Sequence, residues 1–214
     1  MEQIKNVNYV KFGGTMKNNN DAVLAGTVAT EPAVYVCCGE EFYSFDLAIK
    51  RESGTEDIIP VNVSRYILKN VNIGEKVCLT GQIRAYNRVV EDKSRLVIVF
   101  FAKDVKDYEK DINTIYFTGT ICKEPILRTT PLGRNICDIL LAVNRERGKS
   151  DYIPCIIWGR TAIHIGQLTV GAKVAVEGRI QSRIYTKKIN ENESVERKAL
   201  EVSVNRIQEA ANEQ

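Results

Sequence analysis

Two aromatic side chains and a guanidinium stand at strand spacing in Asp151-Tyr152-Ile153-Pro154-Cys155-Ile156-Ile157-Trp158-Gly159-Arg160. The run is rich in β-branched and aromatic residues and stops at Gly-Arg, so it reads as one strand. Side chains alternate faces along a strand. Tyr152, Pro154, Ile156 and Trp158 therefore share one face, and Ile153, Cys155 and Ile157 share the other. Aromatic planes beside a cation offer unpaired bases a π-surface and their phosphates a charge. The competing reading places Tyr152 and Trp158, the only Trp of the chain, in a hydrophobic core.

No constellation of comparable density points to catalysis. There is one His, at 164, and the six Cys (37, 38, 78, 122, 137, 155) include no Cys-x-x-Cys spacing. Neither a phosphate loop nor a nucleophile motif is present. The expectation is a binding protein rather than an enzyme, with no cofactor, no metal site and no disulfide framework. His164 is expected to be structural.

The 214 residues are 44% hydrophobic and 27% charged, the composition of a soluble globular protein. No apolar run is long enough to span a membrane, and Met1-Glu2-Gln3-Ile4-Lys5 is not a secretory signal. These features lead us to expect a reducing cytoplasm and, for a nucleic-acid binder, association with the nucleoid. Residues 1–110 hold 15 Lys/Arg against 15 Asp/Glu, whereas residues 111–214 hold 15 against 12. The whole net charge of +3 belongs to the second half.

The elements that must position this strand read as a train of short strands separated by turns. Residues 1–20 read as an N-terminal arm and linker, with Gly13-Gly14 and Asn18-Asn19-Asn20 as turn signals. Strands follow at Ala22–Ala29, Phe42–Lys50, Asp57–Val63, Lys76–Tyr86 and Arg95–Val105, with one or two helical turns at Ser64–Asn70. Gly26 suits a bulge or a tight bend at a barrel corner. A charged connector, Lys106 to Asp111, then leads into the same pattern again.

The repetition is direct. Gly26-Thr27-Val28-x-x-Glu31-Pro32 returns as Gly119-Thr120-Ile121-x-x-Glu124-Pro125. Ala48-Ile49-Lys50-Arg51-Glu52-Ser53-Gly54 returns as Ala142-Val143-Asn144-Arg145-Glu146-Arg147-Gly148, and Asp57-Ile58-Ile59-Pro60 as Asp151-Tyr152-Ile153-Pro154. The Gly74-to-Ile83 block returns at Gly171 to Ile180. Four matched blocks in one order mean a tandem duplication. The fold class is all-β: two tandem five-stranded OB-fold barrels, each with a short helix between strands three and four. The expected boundaries are 21–106 for a first, degenerate barrel and 113–208 for the second, with 209–214 as a short tail.

Residues 115–207 resemble the bacterial single-stranded DNA-binding protein family. The resemblance rests on Gly119-Thr120-Ile121…Glu124-Pro125, Leu127-Arg128-x-Thr130-Pro131-x-Gly133, Leu141-Ala142-Val143-Asn144-Arg145, Tyr152…Trp158-Gly159-Arg160 and Val176-Glu177-Gly178-Arg179-Ile180-x-Ser182-Arg183. The first half resembles the same family more weakly, through the repeat. The resemblance implies base stacking on Tyr152, Trp158 and Tyr185. Phosphates would be tracked by Arg128, Arg134, Arg145, Arg160, Arg179, Arg183 and the hairpin pair Lys187-Lys188, with little sequence preference. On the strand from Lys173 to Tyr185, one parity is apolar and the other is Ala175, Glu177, Arg179, Gln181, Arg183 and Tyr185, a cationic row ending in an aromatic. A solvated charged face is the competing reading of that row.

The first copy departs from this pattern, with Ile58 and Ser64 at the positions of Tyr152 and Trp158. Its weaker candidates are Lys50, Arg51, Arg65, Arg84 and Tyr86, and the expectation is a weaker binder or a scaffold. Phe42, Tyr43, Phe45 and Tyr66 are read as alternative stacking surfaces or as core. The family's acidic tip closing on Pro-Phe has no counterpart in Gln208 to Gln214, so recruitment of replication proteins through such a tip is not expected. The resemblance implies four OB domains per particle, hence a homodimer. The expected function is sequence-nonspecific binding and protection of single-stranded DNA in replication, recombination or repair, although RNA would meet the same stacking and phosphate contacts. The alternative is a primosome-like or structural OB-fold protein acting mainly through protein contacts.

Overall fold

The structure, a computed structural model, describes residues 19–37, 40–69, 71–90, 93–106, 110–145, 148–188 and 194–210. The expected N-terminal arm thus lies outside the described residues, apart from Asn19 and Asn20. The first half comprises β1 (Asn20–Val28), β2 (Ala33–Cys37), β3 (Glu40–Lys50), β4 (Glu56–Ser64), α1 (Arg65–Leu68), β5 (Lys76–Val90) and β6 (Lys93–Lys106). The second comprises β7 (Ile112–Ile121), β8 (Ile126–Thr129), β9 (Asn135–Asn144), β10 (Ser150–Trp158), α2 (Arg160–Ile165), β11 (Lys173–Lys188) and β12 (Ser194–Glu209). Each half is an OB-fold barrel, and each short helix sits where the repeat predicts it. The difference is one extra short strand per half, β2 and β8, at the two ends of the sheet.

Alternation of apolar and polar residues writes these strands, and burial follows it. Along β10, Ile153, Cys155 and Ile157 are buried in the barrel. Along β4, Ile59, Val61 and Val63 are likewise fully buried. Phe45 and Phe100 fill the first barrel, and Phe117 and Leu141 the second. At Gly81 and Gly178 the β5–β6 and β11–β12 registers shift by a bulge. A Cβ on Gly81 would meet the Phe101 carbonyl oxygen at 2.1 Å, and one on Gly178 the Ser203 oxygen at 2.5 Å. Gly26 serves a close approach of the same kind, 2.3 Å from a Cβ to the Ala48 oxygen, where β1 leaves β5 for β3.

All the strands join one 12-stranded sheet, ordered β2-β3-β4-β6-β5-β1-β7-β11-β12-β10-β9-β8. Its centre is the antiparallel pair of β1 and β7, in which Ala22 lies opposite Ile115. The sequence spacing that carries Gly26 onto Gly119 also carries Ala22 onto Ile115, so each residue faces its own repeat counterpart. That is the signature of a two-fold axis, here built into one chain. Side-chain bonds obey it as well. Asn20 brackets Ile83, donating to its carbonyl at 2.7 Å and accepting its N–H at 3.1 Å. Asn113 does the same to Ile180 at 2.7 and 2.9 Å.

Candidate nucleic-acid interface

The β10 strand turns Tyr152 and Trp158 outward, 48% and 41% exposed, while Ile156 between them is only 5% exposed. The two rings therefore rise from an apolar floor. Their cross-strand partners on β9, Ala142 and Ile136, lie on the same face. Next in that row, Arg128 of β8 stands opposite Ile136 and is fixed by Asp138, Nε to Oδ2 at 2.6 Å. The hydrogen bond to Asp138 raises the Arg128 pKa, keeping its charge secure. On the other side of β10, Ile156 is level with Ser203 of β12, and Ser203 with Arg179 of β11. One continuous face thus carries Arg128, Trp158, Arg179 and Arg183.

The charges on this face are held by neighbouring side chains. Glu201 accepts from Gln181 at 2.8 Å and pairs with Arg183 at 3.3 Å, leaving the Arg183 side chain 53% exposed. Arg179 donates to Gln181 at 3.2 Å. Burial, and then the nearby charge of Arg51, lower the Arg179 pKa from its ordinary value. Arg160 is exposed at the start of α2, directly after Gly159, whose positive φ of 69° turns the chain off β10. Arg134 is exposed in the turn between β8 and β9. The backbone places Tyr185, Lys187 and Lys188 on β11 opposite Arg197, Val195 and Ser194; their side chains lie outside the described residues. His164 is exposed and faces Glu209 at 3.4 Å.

Arg145 stands apart from this face. Its guanidinium grips Asp151, with Nε to Oδ2 at 2.7 Å and Nη2 to Oδ1, and donates to the Ala85 carbonyl at 3.2 Å. Asp151 is fully buried and also takes Arg84 at 3.1 Å and the Ala85 N–H at 2.6 Å. A network tying β10 to β5 of the other half thus engages an arginine expected to meet phosphate. The repeat copies it: Arg51 binds the buried Asp57, Nε to Oδ2 at 2.6 Å, and Asp57 accepts the Ser182 N–H at 2.8 Å. Hydrogen bonding to Asp57 raises the Arg51 pKa. Sequence reasoning missed these joints although their signal was present, since Arg and Asp recur in both copies whereas the aromatics do not.

Of the remaining first-half candidates, Arg65 is exposed on α1 and Tyr86 is 45% exposed on β5. Lys50 is exposed at the end of β3, its N–H donating to Asp111 at 2.8 Å. Where the halves meet lies a groove of about 700 Å³. Pro60 and its counterpart Pro154 line it, with Arg95, Arg183 and Lys198 as cations and Asp46 and Glu201 as anions. Both prolines belong to the outward parity of their strands, so the groove joins the outer face of one half to that of the other.

Residues 112–209 match the model of the single-strand binding protein family. "Single-stranded DNA-binding protein 2" of Listeria innocua is 36% identical over 81 residues, covering 35% of this chain and 51% of that protein. "Single-stranded DNA-binding protein A" of Bacillus subtilis is 37% identical over 82 residues, covering 35% and 47%. The chain therefore spans about half the length of the curated relatives it matches. Across both halves, the wild-type single-stranded DNA binding protein from Thermus aquaticus shares the fold, with a TM-score of 0.71 and 21% identity over 93% of this chain and 96% of that one.

Proposed function

We propose that the chain binds single-stranded DNA without sequence preference and protects it during replication, recombination or repair, a reading supported by the match of residues 112–209 to the model of the single-strand binding protein family. The observation that carries this reading is the pair Tyr152 and Trp158, both outward and about half exposed over a buried Ile156. A side chain needed only for the core would be inside. Bases stack on these rings and on Tyr185, at about 1–3 kcal/mol per base. Phosphates follow Arg128, Arg134, Arg160, Arg179, Arg183 and the Lys187-Lys188 hairpin. In this reading Arg145 positions the two barrels, residues 21–106 and 113–208, rather than touching DNA.

Two such chains form a homodimer of four barrels. Light scattering tests this: twice the chain mass of 24.1 kDa supports it, and a single chain mass contradicts it. The binding itself is tested by fluorescence anisotropy of a labelled oligo(dT). The proposal requires that Trp158→Ala weaken binding and that added salt weaken it further. Val34 and Val36, 58% and 68% exposed on the edge strand β2, favour a second reading in which the first barrel meets protein. In that case any residual DNA binding would ignore Trp158→Ala.

A further inference from the structure

Building on the proposed function, we infer that the first half carries its own base-stacking patch, Tyr35–Phe42–Phe101, assembled from different strands than those that carry Tyr152 and Trp158. Phe42 of β3 lies opposite Ser64 of β4, the residue at Trp158's position in the repeat. Tyr35 of β2 lies opposite Phe42, and Phe101 of β6 is level with Asn62 of β4, two residues before Ser64. Residues paired directly across neighbouring strands share a face. The three rings therefore occupy the face that, in the other half, holds Trp158.

The rings form a set. Tyr35 and Phe42 have centroids 5.7 Å apart at 30°, and Phe42 and Phe101 5.5 Å apart at 63°. All three are half-buried, whereas Phe45 and Phe100, on the opposite parity, fill the barrel at 2% and 0% exposure. The core is complete without the outer trio. In the second half the corresponding places are held by Arg128, Ile136 and Ser203. The aromatic surface has moved across the sheet, from the end of the fourth strand onto its neighbours.

Charge and continuity identify the occupant as single-stranded nucleic acid. Arg65 is exposed next to Ser64, and Tyr66 beside it is 80% exposed. Asp46 lies opposite Pro60, on the same face as Phe42. Pro60 and Pro154, the latter on the Trp158 face, both line the groove, together with the cations Arg95, Arg183 and Lys198 and the anions Asp46 and Glu201. A strand stacked on Trp158 has a path along this groove to Phe42 across the pseudo-two-fold axis.

The test uses the full chain carrying Phe42→Trp in a Trp158→Phe background, with far-UV circular dichroism to verify the fold and the parent chain titrated in parallel. Quenching by oligo(dT) of both the new indole and the parent's Trp158 is the expected result. Quenching of Trp158 alone overturns the inference and leaves the proposed function standing; a second copy of the chain lying over the patch would give that result. Quenching of neither overturns both. Should the reporter fail to fold, Tyr35→Ser on the edge strand decides. It is expected to weaken binding of an oligo long enough to span both halves about tenfold, sparing the shortest oligo that saturates Trp158. Equal affinities for the long oligo before and after the change would overturn the inference.

Discussion

The Oδ1 of Asp151 accepts the backbone N–H of Ala85 at 2.6 Å, bonding β10 of the second half to β5 of the first. Asp57 returns the bond from the first half to Ser182 of the second at 2.8 Å. Each carboxylate is fully buried and each is held by an arginine of its own half. The halves are thus joined by a reciprocal pair of clamps as well as by the β1–β7 ladder.

Removal of Asp57 would take the carboxylate from the Arg51 guanidinium and the Ser182 N–H, and removal of Asp151 would take it from Arg145, Arg84 and the Ala85 N–H. Asp151→Ala and Asp57→Ala are each expected to cost on the order of 3 kcal/mol. Asp138→Ala, which breaks the exposed pair with Arg128, should cost below about 1 kcal/mol. Chemical denaturation of the three variants checks the order.

On the β10 face, function and stability should separate by position. Trp158→Ala and Tyr152→Ala are expected to weaken oligo(dT) binding by about 1–3 kcal/mol each with little effect on unfolding. Ile156→Ala, between them and buried, should instead destabilise the fold by about 2–5 kcal/mol. Thermal unfolding and binding isotherms on the same three proteins make the comparison.

The arginines should divide in the same way under salt. Arg160→Ala and Arg134→Ala, at exposed positions, are each expected to reduce the slope of log K on log salt by about 0.7, one phosphate contact for a single strand. Arg145→Ala should leave that slope in place and lower the melting temperature, because its guanidinium serves Asp151. Titrations at four or more salt concentrations read the slopes.

Close backbone approach makes the glycines at the bulges intolerant. Gly81→Ala would press a methyl to 2.1 Å from the Phe101 carbonyl, and Gly178→Ala to 2.5 Å from that of Ser203. Each is expected to cost about 2 kcal/mol or more. Gly54→Ala meets no atom within 4 Å and carries only the strain of its positive φ, about 1 kcal/mol. Denaturation midpoints order the three.

The strands and both barrels were legible because alternation and an internal repeat are local properties of the sequence. The parity of β10 alone separated Tyr152 and Trp158 from Ile153, Cys155 and Ile157, and burial follows that parity except at Ile156, which is outward in register yet buried. What could not be read depended on contacts between separate strands, within a copy or between the copies. Arg145 looked like a phosphate ligand because its sequence neighbours do not include Ala85, sixty residues away in the chain and bonded to it in the fold. β2 and β8 are short edge strands whose partners, rather than their own periodicity, define them. The Tyr35, Phe42 and Phe101 cluster comes from three strands, and no spacing within one of them announces it.

The most direct test of the account is titration of the intrinsic fluorescence of Trp158, the chain's single Trp, with oligo(dT) across a range of salt. The account predicts quenching that saturates, tightens at low salt and weakens when Tyr152 is changed to Ala. Fluorescence unchanged at saturating oligo and low salt would contradict it, since the ring would then lie away from any bound strand.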